Sequence, residues 1–153
     1  MNRNDGHFQE IVKDASCKLY TYAVSETGQG TGADFTASRI RYVSRPDFVG
    51  TEFLVAGAYE MEVRLGIPGL FNVDNALAAV SVCSFLSLPK ERVSHGLEHI
   101  RVNGRMEIVH TSARCTVLVD YAHNAVSMES LLSTLREYRQ APCGGLWLRR
   151  KPL

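Results

Sequence analysis

No sign of charge dominates this chain. Across its 153 residues, 17 lysines and arginines stand against 16 aspartates and glutamates, a formal net charge of +1. The basic residues are scattered and form no stripe, so the pattern speaks against a nucleic-acid partner. No apolar run is long enough to cross a bilayer, and no apolar leader segment follows the polar N-terminus. Cys17, Cys83, Cys115 and Cys143 are far apart and never form CxxC. That argues against a zinc site or a disulfide framework, and for the reduced thiols of a cytosolic protein. No internal repeat or low-complexity tract is visible. The glycine-rich residues 26–32 are not a GxxxxGK[ST] phosphate loop, because no Lys-Ser or Lys-Thr follows them; they read as a flexible loop.

What is present is enough for a domain with a real core. At residues 59–65, Tyr59, Met61, Val63 and Leu65 alternate with Glu60, Glu62 and Arg64. This predicts a half-buried antiparallel strand with Glu60 and Glu62 on its solvated face. Gly57 and Ala58 supply the turn before it. Residues 18–24, 35–43 and 52–55 also read as strands, which makes a small antiparallel sheet on the flank of an α/β domain. A short helix is expected through Phe8, Ile11 and Val12. A longer one is expected over residues 72–86, with Val73, Leu77, Val80 and Ser84 on one side and Ala76, Ala78 and Ala79 allowing close approach. Asn72 is placed to cap it, and Asn75 lies in its first turn near the positive end of the dipole. An amide offers a donor and an acceptor, which is what the edge of an adenine needs, although an asparagine in a first turn more often serves as a cap. A further helix starts at Pro89, with Val93, Leu97 and Ile100 as its buried stripe. His95 and His99 are four apart on it, but with no third ligand in view they read as surface histidines.

The most informative stretch comes later. Thr116 to Val119 is a β-branched, aliphatic run that reads as a buried strand. It ends in Asp120, Tyr121, Ala122, His123 and Asn124, after which Met128, Leu131, Leu132 and Leu135 recur at helical spacing. Asp120 and His123 therefore fall in a strand-to-helix turn, where open α/β sheets bind ligands, and Asn124 is placed to cap the helix. Residues 107–111 and 115–119 pair as a hairpin. Residues 102–104 form a hinge, and Arg105 directly after it suits either a phosphate contact or a salt bridge across the hinge. Taken singly, an Asp here is a turn residue and a His a surface residue.

Together, GLFNVDNALAA, GRME and VLVDYAH, in this order and at this spacing, resemble the Mur ligases. The likeness covers residues 17–139 and is nearest the MurE branch, the UDP-N-acetylmuramyl-tripeptide synthetases. It implies an α/β fold in two parts. Residues 1–102 would be the C-terminal part of a central ATP-binding domain, and residues 103–153 the beginning of a Rossmann-like C-terminal ligase domain. It also implies ATP and Mg²⁺ as cofactors, and a carboxylate activated as an acyl phosphate and then attacked by an amine. The reaction would add a diamino acid to UDP-MurNAc-L-Ala-D-Glu in the cytoplasm, in peptidoglycan synthesis, and the enzyme would be a monomer. The ATP-binding residues it points to are Asn75, Asn72, Arg105, Asp120 and His123: Asn75 at adenine, Arg105 near the phosphates, Asp120 on the ribose hydroxyls and His123 lining the nucleotide side. No catalytic residue and no metal ligand is implied. The pattern is lost after Arg139, so a truncated fragment, inactive alone, is expected. The alternatives are a folylpolyglutamate or cyanophycin synthetase, or a noncatalytic fragment that binds nucleotide weakly.

Overall fold

The structure is a computed structural model that describes residues 1–25, 31–112 and 114–138. Most of the glycine-rich loop, and the closing residues with Cys143 and Trp147, lie outside the described residues. The elements are α1 (Phe8–Val12), β1 (Tyr22–Val24), β2 (Phe35–Arg45), β3 (Phe48–Gly57), β4 (Met61–Leu65), α2 (Leu70–Phe85), α3 (Lys90–His99), β5 (Glu107–Thr111), β6 (Thr116–Val119) and α4 (Ala125–Glu137). This is the α/β class expected.

Strands β1 to β4 form one sheet in sequence order. Strands β2, β3 and β4 are antiparallel, with Phe53 opposite Val63 and Leu54 opposite Glu62. In β4 the alternation acts as predicted: Met61, Val63 and Leu65 are buried and Glu62 is exposed. The first strand corrects the expectation. It spans only Tyr22–Val24 and runs parallel to β2, and Asn2 extends the parallel pairing by a bridge to Tyr22. Alternation carries no strand direction. The direction here is set by the first residues, where Met1 accepts from the Tyr22 N–H at 2.9 Å and Arg3 donates to the Tyr22 carbonyl at 2.8 Å. Asp34 closes the loop between β1 and β2: its Oδ2 accepts from the Thr21 N–H at 2.7 Å and from the Thr21 hydroxyl at 2.9 Å.

Helix α2 lays Val73, Ala76, Leu77 and Val80 on this sheet, and α3 adds Val93 and Leu97. Two helix starts differ from the sequence reading. Helix α2 begins at Leu70 with Gly69 at the cap position, and Asn72 does not cap it; its amide instead donates to the Pro68 carbonyl at 2.7 Å. Asn75 is consequently the sixth residue of the helix and lies beyond the first turn. Pro89 is the residue before α3, and Ile100 lies past its end in extended conformation, 36% exposed, outside the buried stripe.

The hairpin of β5 and β6 is antiparallel, and α4 follows it under the Asn124 cap. Thr116–Val119 forms the strand predicted but is not buried: Val117 is 46% and Val119 47% exposed. Among the described residues β6 pairs only with β5, so its apolar side chains have little to pack against.

Candidate functional site

The stretches 104–107 and 120–123 meet in one hydrogen-bonded unit. Residues 104–107 form a turn in which Gly104 (φ 70°) and Met106 (φ 45°) are both left-handed. Glycine adopts that region freely, while an L side chain gives up roughly 1–2 kcal/mol there. The Met106 side chain is 2% exposed and packs with Ile67 and Leu131. Three consecutive amides of the turn are held: Gly104 N–H donates to Glu107 Oε2 at 2.7 Å, Arg105 N–H to the Val102 carbonyl at 3.1 Å, and Met106 N–H to Asp120 Oδ2 at 2.8 Å. The Arg105 side chain, between the two left-handed residues, is exposed.

Asp120 therefore sits where the strand-end reading puts it, but both of its oxygens hold backbone. Oδ2 takes Met106, and Oδ1 accepts from the Ala122 N–H at 2.8 Å. His123 turns back on its own loop: its Nδ1 donates to the Tyr121 carbonyl at 2.9 Å and its ring lies 4.9 Å from that of Tyr121. Asn124 caps α4 reciprocally with Ser127, its side chain accepting from the Ser127 N–H at 2.9 Å. Asn72 and Asn75 are paired on α2, the Asn75 amide donating to Asn72 Oδ1 at 3.4 Å. Among the described residues, no hydrogen bond joins Asn75 to Arg105, Asp120 or His123. The structure thus links Asp120 to the Arg105 turn directly and leaves Asn72 and Asn75 on a separate element.

That element is tied to the rest through Tyr138, which follows α4. Its hydroxyl lies 2.5 Å from Thr51 Oγ1 and accepts from the Gly69 N–H at 3.1 Å, and its ring is edge-on to Tyr42 at 5.1 Å. Burial pushes the phenol above its ordinary value, against the pull of the Thr51 and Gly69 hydrogen bonds. Near the start of α2, Asp74 is half-buried and accepts from the Asn2 amide at 3.2 Å; burial raises its carboxyl pKa, and the Asn2 bond opposes the rise.

Residues 104–148 match the family described as Mur ligase, glutamate ligase domain. The UDP-N-acetylmuramoyl-L-alanyl-D-glutamate–2,6-diaminopimelate ligase of Caldanaerobacter subterraneus is 32% identical over 90% of this chain and 27% of that protein. The ligase of the same name from Clostridioides difficile is 33% identical over 89% of this chain and 28% of that protein. This chain is similar to the Mur ligases over most of its length. Among solved structures, that of MurF from Acinetobacter baumannii superposes with a TM-score of 0.70 at 26% identity, over 90% of this chain and 28% of MurF. The folylpolyglutamate synthase of Thermotoga maritima shares the fold, with a TM-score of 0.62 at 22% identity, over 85% of this chain and 28% of that one. This chain spans only 27–28% of the length of the curated relatives named above.

A nucleotide fits the donor set of this chain in part. A guanidinium suited to phosphate and an amide suited to a base edge are both exposed, at Arg105 and Asn75. Among the described residues, no three His, Cys, Asp or Glu side chains group to hold a metal ion. Sequence reasoning missed Met106, Glu107 and Tyr138 as parts of the site. Glu107 had a signal, an acid three residues after a glycine and able to reach back to its amide. Met106 and Tyr138 had none, because their roles come from a backbone angle and a contact 87 residues away in sequence.

Proposed function

We propose that this chain is part of an ATP-dependent carboxylate–amine ligase, one that adds a diamino acid to UDP-MurNAc-L-Ala-D-Glu during peptidoglycan assembly in the cytoplasm. The observation that carries this reading is the joining of GRME to DYAH by the Met106–Asp120 bond, in a chain about one-third identical to named diaminopimelate ligases. In this reading residues 1–102 close a central ATP-binding domain and residues 103–153 open the C-terminal domain; the family match that begins at residue 104 supports that division. ATP, with Mg²⁺ on its phosphates, supplies the phosphoryl group that activates the substrate carboxylate. Arg105 faces the phosphates, Asn75 with Asn72 reads the adenine edge, and His123 lines the same side. The enzyme acts as a monomer.

The test is a chimera. Residues 17–139 replace the corresponding segment of the C. difficile ligase, and amide formation is assayed with ATP, Mg²⁺, the UDP-linked dipeptide and 2,6-diaminopimelate. The chimera should form amide and release phosphate only with both acceptor and amine present, while the 153-residue chain alone should form none. A chimera that folds with the parent's melting temperature and yields no product would sink the proposal, and so would amide formation by the chain alone.

A further inference from the structure

On the exposed side of α3, away from the Arg105 turn, two imidazoles stand together. His95 and His99 are four residues apart, so they neighbour each other on one side of the helix. Their rings lie 4.2 Å apart and 19° from parallel, and both residues are exposed. The His99 Nδ1 is 2.9 Å from the His95 carbonyl. A carbonyl only accepts, so Nδ1 carries the proton, and the neutral ring keeps its lone pair on Nε2, at the far side of the ring. A histidine that ligates a metal is held in this way, its other ring N–H bonded to a carbonyl or a carboxylate. Among the described residues the His95 ring has no hydrogen-bond partner, and its exposed side chain is free to turn. No carboxylate among them pairs with either ring; that of Glu98, next to His99 in sequence, is taken by Arg64 at 2.8 Å.

We propose that His95 and His99 form a binding site for a borderline divalent transition-metal ion, copper(II) ahead of zinc(II), on the exposed side of α3. Two imidazole nitrogens grip one ion, and water fills its remaining positions. Imidazole suits these ions, and copper(II) stands above zinc(II) in affinity for such ligands. Magnesium takes oxygen donors instead, so the site is separate in chemistry from any Mg²⁺ that accompanies ATP. The inference does not rest on the nucleotide reading. Among the described residues no third His, Cys, Asp or Glu completes a group around a metal, so the ion is held by two side chains and exchanges readily. His99 is the last residue of α3, and residues 102–104 lead on from there to the hairpin. The bound ion therefore ties the last turn of α3, at the point where the chain leaves the first region.

Metal titrations of the full chain test this. In wild type, zinc(II) chloride should shift the ring Cε1–H NMR signals of His95 and His99 together, along one saturation curve, while magnesium chloride leaves both in place. Copper(II) should bind at least as tightly, with two nitrogen ligands in its EPR spectrum. His95→Gln and His99→Gln each remove one of the two ligands. A ligand matters at least as much as the group that orients it, whose loss typically costs about 10–100-fold in affinity, so each variant should bind zinc at least about tenfold more weakly. The double variant keeps His7, His110 and His123 and shows what those rings bind by themselves. Zinc should also slow amide exchange in the last turn of α3 in wild type and in neither variant, because an ion that binds the folded helix holds it closed. Equal zinc affinity in wild type and both variants overturns the proposal. So does a zinc shift confined to one of the two rings, which is a single-imidazole contact and needs no variant to be seen. Magnesium moving the two rings as zinc does overturns the class of ion.

Discussion

Thirteen buried side chains hold the sheet of β1–β4 to α2 and α3, whereas three, Ile67, Met106 and Leu131, form the core under the hairpin and α4. The sequences of the two regions look equally apolar. The difference lies in what each apolar run faces. Alternating strand β4 has one wet face and one helix-covered face, so each side chain has its proper surroundings. The continuous run of β6 belongs to the kind of strand that is covered on both faces, yet its Val117 and Val119 are 46% and 47% exposed, and Val109 on β5 and Val126 on α4 are more exposed still. A two-stranded ribbon is marginal in water. The hairpin and α4 therefore depend on docking against the first region, through Ile67 and through Tyr138, and the part of the candidate site around Arg105 and Asp120 lies on the weaker of the two regions.

Truncating the larger core should give the largest effect. Leu77 is fully buried between α2 and the sheet, and Leu77→Ala should cost about 2–5 kcal/mol, lowering amide protection across both regions because the second docks on the first. Leu131→Ala, on α4, should cost near the lower end of that range and raise exchange in β5, β6 and α4 while leaving β2–β4 protected. Equal loss of protection everywhere in both variants, measured by hydrogen exchange, would show one cooperative unit and remove the contrast.

Legibility in the sequence follows the same division. Period-two alternation identified β4, and helical spacing placed Val73, Leu77 and Val80 on the buried face of α2, because one covered face imprints a pattern. The hairpin and the Asn124 cap were equally readable, being local. Three things were not. The direction of β1 is decided by residues 1–3, and a three-residue strand has no room for a signal. The start of α2 is set by Gly69 and Pro68, which displaced Asn72 from the cap. The site residues were named from motifs, but how they are joined was hidden: Asp120 reads as a strand-end acid in either role, and only the Met106 backbone angle shows what its carboxylate holds.

The docking itself is tested next. Tyr138→Phe keeps the ring beside Tyr42 but removes the hydroxyl, leaving the Gly69 N–H without its acceptor and the buried Thr51 without its partner. The expected cost is about 1–2 kcal/mol, read as faster exchange of the Gly69 amide and earlier melting of α4. No change at Gly69 would mean that Ile67, Met106 and Leu131 dock the second region unaided. A still smaller and more local loss, about 1 kcal/mol, is expected for Asn124→Ala, which removes one acceptor from the first turn of α4. It should fray α4 and leave the β1–β4 sheet as it is; a global fall in stability would mean the two regions are coupled through that helix.

The smallest effect belongs to the first region and depends on pH. Asp34 holds the Thr21 N–H and hydroxyl, and these bonds, the backbone one foremost, keep its carboxyl below the ordinary 3.8. A folded-state pKa below the unfolded one means that the unfolded chain takes up the proton first. The Asp34 contribution is therefore fully present above the ordinary value and is lost as pH falls through the lowered one. Asp34 is exposed, so water screens the interaction and the contribution is small. Asp34→Ala should lower the melting temperature slightly near neutral pH, and the gap to wild type should close as the solution is acidified through the carboxylate range. The strands β2–β4 should not register the change, because their pairing does not pass through Asp34. A gap that stays constant with pH would show that Asp34 acts through its packing in the turn and not through its charge, and would leave the first region without a pH-sensitive clasp.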